Sequence, residues 1–156
     1  MNKKNKKIVT KLIKKKIKVS VAESCTGGML AQNLTSVSGA SKIFTFGVVT
    51  YSNKSKTKYL NVPHKIIKRY GAVSEECCES MVSNLAKITK TKLCIAITGV
   101  AGPKGGTRKK PVGLVFIAIK INKIVRIYKY FFKNENRESI RRNSVKKSLN
   151  LINKFI

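Results

Sequence analysis

The sequence predicts a layered α/β fold with a mixed β-sheet, on the basis of three observations. Short apolar runs typical of buried strands alternate with longer segments whose apolar residues recur at helical spacing. Residues 112–121 and 124–132 are predicted to form a hairpin that turns at Asn122 and Lys123, so part of the sheet must be antiparallel. The length of 156 residues suits one domain with a single sizeable core, and we expect one domain over 1–156.

Hydrophobic spacing and capping residues predict the individual elements. The lysine-rich stretch 1–16 carries an apolar stripe and is expected to form a basic amphipathic helix that covers the sheet. Ser74 and Asn136 are predicted N-caps, because their side-chain oxygens can accept from free N–H groups of a helix. The other predicted elements are strands at 17–22, 43–51 and 93–98, and helices at 27–37, 53–60, 63–70, from 75 onward, and 137–155.

The strong positive charge has a simple explanation. The net charge is +28 at pH 7, and lysine supplies 28 of the 34 basic residues, which are spread along the chain. Lys, Asn and Ile are all heavily used and have codons rich in A and T, so a biased genome accounts for much of the excess. We expect attraction of anionic small molecules and nonspecific nucleic-acid binding at low salt, rather than a dedicated nucleic-acid function.

Other features of the composition bear on location. No apolar run is long enough to span a membrane, and no signal peptide is visible, so we expect a cytoplasmic protein without membrane association. The four cysteines show no pattern of a disulfide framework and are expected to be reduced.

The scarcity of acidic residues and histidine narrows the possible catalytic groups. The sequence contains no Asp, and its one His is His64, which follows Pro63 at a predicted helix start. A Ser-His-Asp triad is therefore excluded, and His64 is a weak candidate for a Ser-His-Glu triad. Neither clustered carboxylates nor spaced Cys and His pairs occur, so we expect no metal and no cofactor. Lysine is the remaining base for a serine, provided that its pKa falls from about 10.4 toward neutrality.

The turn at residues 22–28 is the most informative segment. An apolar strand ends there in small polar residues and a Gly-Gly pair, and a helical pattern follows. Ser24 should lie beside the helix N-terminus, where free backbone N–H groups can hold developing negative charge. Ser24 is therefore a candidate nucleophile, although Ser, Thr and Gly are also ordinary turn residues. Cys25 is a rival nucleophile, but a packed small residue is the favoured interpretation because no His is near.

Five motifs in order resemble the C-terminal domain family of the competence/damage-inducible protein CinA. They are AESCTGG at 22–28, FTFGVVTYSNKSK at 44–56, YGAVSEE at 70–76, TGVAGPKGG at 98–106 and KPVG at 110–113. The resemblance implies a three-layer α/β/α sandwich with a mixed sheet. Stand-alone members are nicotinamide-nucleotide amidohydrolases, and this chain resembles that form. The implied reaction converts nicotinamide mononucleotide and water into nicotinate mononucleotide and ammonia.

The resemblance also implies the residues that perform this reaction. Ser24 is the implied nucleophile and Lys56 the implied base, with assistance from Tyr51 and from Arg137 near the last helix. The substrate's pyridinium ring and Arg137 are candidates for lowering the pKa of Lys56, together with burial. The implied substrate-binding residues are Thr26, Gly27, Gly28, Asn53, Gly99, Ala101, Gly102, Gly105 and Gly106.

The chain departs from the family pattern at two places. Glu135–Asn136 replace the usual Gly-Asp before the arginine, so the match of Arg137 to the family's arginine depends on the residues that follow it. Arg108–Lys109 replace an acidic pair before Lys-Pro-Val-Gly, which bears on the rim of the glycine-rich loop.

Two functions of different classes remain open. The first is the amidohydrolase, with the small-molecule nucleotide as its partner. The second is a non-catalytic module that binds nucleotide, nucleic acid or a DNA-repair partner, as the competence-related family name suggests. Retention of Ser24, Tyr51 and Lys56 favours the enzyme, because a binding module does not need a serine and a lysine at these positions. Family analogy further implies a homo-oligomer.

Overall fold

The computed structural model describes residues 3–156, the side chain of Lys4 excepted. The strands are β1 Val19–Glu23, β2 Phe44–Val49, β3 Leu93–Gly99, β4 Leu114–Ile121 and β5 Ile124–Phe131. The helices are α1 Lys3–Lys14, α2 Met29–Thr35, α3 Asn53–Leu60, α4 His64–Tyr70, α5 Glu75–Thr89 and α6 Arg137–Phe155. A 3₁₀ turn occupies Ala40–Lys42, between α2 and β2. Within this described part, no helix is both long and apolar enough to cross a membrane.

The five strands form one mixed sheet in the order β2-β1-β3-β4-β5. Strands β2, β1 and β3 are parallel, whereas β4 runs antiparallel to β3 and β5 antiparallel to β4. The predicted α/β class, the mixed sheet and the closing hairpin are confirmed. The carboxyl ends of three parallel strands therefore meet at one edge of the sheet, which is where ligands bind in open α/β folds.

Two helical layers cover the sheet, as the three-layer prediction requires. Apolar residues of α1, α2 and α6 share one core cluster with Val21 and Ile95 of the sheet. Residues of α3, α4 and α5 share the other cluster with Ala22 and Ala96. Neighbouring strand residues face opposite layers because side chains alternate along a strand.

The N-terminal helix differs in part from its prediction. Ile8, Val9 and Leu12 are buried in the core, so the apolar stripe does face inward. Helix α1 also packs against α2 and α6. The helix ends at Lys14, and residues 1 and 2 of the predicted segment lie outside the described residues.

Capping chemistry explains most helix boundaries. The Ser74 hydroxyl accepts from the Cys77 N–H at 3.1 Å, and the Asn136 side chain accepts from the Ser139 N–H at 2.9 Å, as predicted. Helices α3 and α6 begin and end where the sequence placed them. Helix α2 begins only at Met29, because Gly27 and Gly28 have φ angles of 59° and 92° and are not helical.

Candidate active site

The carboxyl ends of the parallel strands surround a cavity of about 250 Å³. Ser24 follows β1 directly, Tyr51 lies just beyond β2, and Gly99 closes β3. The lining residues are Ser24, Cys25, Tyr51, Lys56, Ala72, Val73, Thr98, Gly99, Val100, Ala101, Gly102, Lys104, Gly105 and Arg137. The four residues predicted to be catalytic are thus brought to one cavity, although they lie far apart in the chain.

A buried serine and lysine are in contact on the floor of this cavity. The Lys56 amine lies 3.0 Å from the Ser24 hydroxyl oxygen and donates to the Thr50 carbonyl at 2.8 Å. The Lys56 side chain is only 1% exposed, and Ser24 is 7% exposed. No carboxylate pairs with Lys56 among residues 3–156. Burial therefore lowers the pKa of Lys56, because the charged amine loses its hydration.

Local structure explains how the two groups meet. Ser52 and Ser55 form a capping box that starts α3, so Lys56 occupies the first helical turn and points back toward the strand ends. The Thr50 N–H donates to the Glu23 carbonyl at 2.8 Å, and the Ser24 N–H donates to the Ile97 carbonyl at 3.0 Å. These bonds fix the turn after β1 to both neighbouring strands.

Glu23 has a role that sequence reasoning missed. Its carboxylate is 1% exposed and accepts from the N–H groups of Gly28, Leu30 and Ala31 at 3.2, 3.0 and 2.8 Å. Glu23 therefore caps α2 from the preceding strand, with its negative charge at the positive end of the helix. The sequence does contain a signal for this role: Glu23 ends an apolar strand shortly before a predicted helix start.

This capping changes where an oxyanion can bind. The expected oxyanion donors are backbone N–H groups near Thr26, Gly27 and Gly28, or those of the turn at 99–102. However, Glu23 accepts from the Gly28 N–H, and the Ser24 carbonyl accepts from the Gly27 N–H at 3.0 Å. That expectation is therefore wrong for both glycines. The N–H groups of Cys25 and Thr26 donate to no other residue within the described part of the chain.

Two arginines of α6 hold the loops around the cavity. Arg137 donates to the Gly102 carbonyl at 2.7 Å and to the Tyr51 hydroxyl at 2.9 Å, so it connects both sides of the cavity mouth. Arg141 donates to the Thr26 carbonyl at 2.9 Å and supports the turn that carries the serine. Sequence reasoning missed this contact, because nothing local indicates that Arg141 reaches the turn.

The predicted substrate-binding residues divide into two groups. Gly99, Ala101, Gly102 and Gly105 line the cavity. The remaining ones are Thr26, Gly27, Gly28, Asn53 and Gly106, and the structure does not bring them to it. Thr26 is fully buried in the turn, and Asn53 instead lines a separate cavity of about 650 Å³ beside α3 and α4.

The structure also bears on the rival catalytic groups. Cys25 lines the cavity, but burial raises the pKa of its thiol to about 12, so the nucleophilic thiolate is scarce at neutral pH. His64 is exposed on α4 and lies beside the separate cavity with Asn53. Over residues 3–156, no group of His, Cys and Glu side chains could hold a metal ion.

Comparison with known proteins gives matches over almost the whole chain. A family model described as the CinA C-terminal domain matches residues 1–156. A CinA-like protein of Prochlorococcus marinus is 44% identical over 145 residues, which make up 92% of this chain and 34% of that protein. The chain thus spans about a third of the length of the curated relatives it matches.

Solved structures agree with the sequence matches. The competence/damage inducible protein CihA of Agrobacterium tumefaciens superposes with a TM-score of 0.91 at 32% identity, covering 97% of this chain and 95% of that one. A CinA superfamily protein of Klebsiella pneumoniae superposes with a TM-score of 0.93 at 28% identity, covering 99% and 97%. On the whole-length family match and these relatives, the chain belongs to the CinA C-terminal domain family.

Proposed function

We propose that this protein is an amidohydrolase that converts nicotinamide mononucleotide and water into nicotinate mononucleotide and ammonia. The buried contact of 3.0 Å between the Lys56 amine and the Ser24 hydroxyl carries the proposal. A lysine with a lowered pKa beside a serine in a cavity is the arrangement that an activated hydroxyl nucleophile needs.

The hydrogen bonds of Lys56 suit a neutral amine. Such an amine has two N–H groups and one lone pair. The Thr50 carbonyl accepts one N–H at 2.8 Å, which leaves the lone pair available to accept the Ser24 proton. Ser24 then attacks the carboxamide carbon while Lys56 takes that proton.

The resulting oxyanion needs hydrogen-bond donors close to Ser24. The Cys25 N–H is the best candidate, because Cys25 follows Ser24 directly, lines the cavity and donates from this N–H to no other described residue. Lys56 then protonates the amide nitrogen, or Tyr51 does so and recovers its proton from Lys56; the C–N bond breaks, ammonia leaves, and Lys56 is again neutral. The Tyr51 hydroxyl accepts a hydrogen bond from Arg137, so its own proton is free to be donated.

Water completes the cycle. It attacks the ester carbon of the acyl-enzyme and loses a proton to Lys56, and Ser24 regains that proton as nicotinate mononucleotide is released.

The direct test is ammonia release from nicotinamide mononucleotide by the wild type and by Ser24→Ala and Lys56→Ala. We expect activity in the wild type and its loss in both variants. Activity that neither substitution affects would refute the mechanism. A wild type that releases no ammonia but binds DNA or RNA in a salt-sensitive way would favour the non-catalytic binding module.

A further inference from the structure

The cavity mouth combines positive charge with an absence of carboxylates. Of the groups lining the cavity, Lys56, Lys104 and Arg137 are basic, and no Glu of the described chain joins them. Lys56 lies on the buried floor, and Arg137 donates to Gly102 and Tyr51. Lys104 is exposed, and within residues 3–156 its amine has neither a hydrogen-bond acceptor nor an ion-pair partner. Of the cations that line the cavity in the described chain, Lys104 is therefore the one with all of its donors available to a ligand.

We propose that Lys104 binds the phosphate of the substrate and thereby selects phosphorylated nicotinamide compounds over unphosphorylated ones. This inference rests on the proposed amidohydrolase function, since it assigns a specificity residue to that reaction.

The depth of the site supports this placement of the phosphate. The carboxamide must reach Ser24, which is 7% exposed on the floor. Pockets that enclose a whole drug-sized ligand measure about 300–1,000 Å³, and this cavity measures about 250 Å³. The ring end of the nucleotide therefore fills the cavity. The phosphate, at the other end of the molecule, lies outside at the mouth with Lys104.

The loop around Lys104 leaves room for an anion. Gly105 has a φ angle of 87°, and a side chain added there would meet no atom within 4 Å. Arg137 holds the Gly102 carbonyl on the other side of Lys104, which fixes the base of the loop. The space beside Gly105, the residue after Lys104, is therefore open to an anion.

Neighbouring cations of the same loop provide a matched control. Lys109 is also exposed, but it does not line the cavity. Replacing Lys104 or Lys109 with Gln removes the same charge at two nearby positions. A general effect of net charge would affect both variants equally, whereas a specific phosphate contact would affect only Lys104→Gln.

The experiment compares nicotinamide mononucleotide with nicotinamide riboside, which lacks the phosphate, as substrates of the wild type and both variants. For Lys104→Gln we expect KM for the mononucleotide to rise about tenfold, the range of a charge-assisted hydrogen bond. The kcat should stay within about twofold, because a contact far from the reacting carbon is equal in ground and transition states. The kcat/KM for the riboside should not change, and Lys109→Gln should resemble the wild type.

An unchanged KM for the mononucleotide in Lys104→Gln, or an equal rise for both substrates, would overturn the inference. Calorimetric titration of nicotinamide mononucleotide into the Ser24→Ala variant separates this inference from the proposed reaction. If the wild type releases no ammonia but Lys104→Gln still weakens this binding about tenfold, the reaction is refuted and the Lys104 contact is supported. Absence of any binding would overturn both.

Discussion

The floor and the mouth of the cavity hold their basic side chains in opposite environments. On the floor, Lys56 is 1% exposed, and its amine hydrogen-bonds to the neutral oxygens of Ser24 and Thr50. At the mouth, Lys104 and Arg137 are exposed to solvent, which solvates a charged group well. In a chain with 28 lysines, burial rather than residue type distinguishes the candidate base from a residue that binds charge.

Removal of the proposed nucleophile should give the largest effect. We expect Ser24→Ala to lower kcat for ammonia release by about 10³-fold or more, because no acyl-enzyme can form. The neighbouring Cys25→Ala variant should retain activity within about tenfold, since the raised pKa of the thiol makes Cys25 a poor nucleophile at neutral pH. Loss of activity in Cys25→Ala with retention in Ser24→Ala would reverse the assignment.

Replacement of the buried amine should separate activity from stability. Lys56→Met should lower kcat/KM by about 10²–10⁴-fold, the usual contribution of a general base. Lys56→Arg should not restore it, because a guanidinium stays protonated. The free energy of unfolding of Lys56→Met at pH 7 should rise by roughly 1 kcal/mol, since the apolar side chain needs no hydration.

The stability of the wild type should depend on pH through the same residue. The pKa of Lys56 is lower in the folded state than its ordinary 10.5, so the unfolded chain binds more protons between those two values. Wild-type stability should therefore gain a favourable contribution as pH rises through this window, and Lys56→Met should lack it. Urea unfolding of both proteins at several pH values measures the difference, and parallel curves would contradict the assigned pKa shift.

Activity should follow the protonation of the same amine. The acid limb of kcat/KM should fall about tenfold per pH unit below the lowered pKa of Lys56, and its midpoint should lie below 10.5. The positively charged pyridinium of bound substrate should lower this pKa further, so the limb of kcat should lie at lower pH than that of kcat/KM. Identical limbs would show that substrate binding does not help deprotonate Lys56.

Glu23 provides a smaller test of how the floor is positioned. Glu23→Gln removes the charged acceptor of three helix N–H groups, and should destabilise the fold by about 1–3 kcal/mol. We also expect a lower kcat with little change in KM, because the turn that carries Ser24 loses its attachment to α2. Glu79→Gln, on the exposed side of α5, is the matched control and should change neither quantity.

A single substitution at the mouth should change catalytic activity least. Tyr51→Phe removes the hydroxyl that accepts from Arg137, an exposed bond of about 1 kcal/mol, so kcat/KM should fall about tenfold or less. A loss in kcat would support proton donation by Tyr51 to the leaving ammonia. A rise in KM without a change in kcat would limit the role of Tyr51 to shaping the mouth.

Short-range patterns made much of this fold predictable. The hairpin turn, the Ser74 and Asn136 caps and the bounds of α3 and α6 depend on residues within a few positions of one another. The family motifs implied that Ser24 and Lys56 belong to one site, although these residues are 32 positions apart in the sequence. The capping of α2 by Glu23 and the support from Arg141 went unpredicted, because each side chain acts across the turn on groups whose orientation only the folded chain defines.

By itself, the sequence determined the α/β class, the mixed sheet, the family and the absence of Asp that leaves lysine as the candidate base. The tertiary structure alone decided the strand order, the attachment of α2 to Glu23, and the burial of the Lys56 amine away from water. Strand order and burial arise from contacts between distant segments. The pKa of Lys56 depends on how completely those contacts exclude water, which no local pattern of residues encodes.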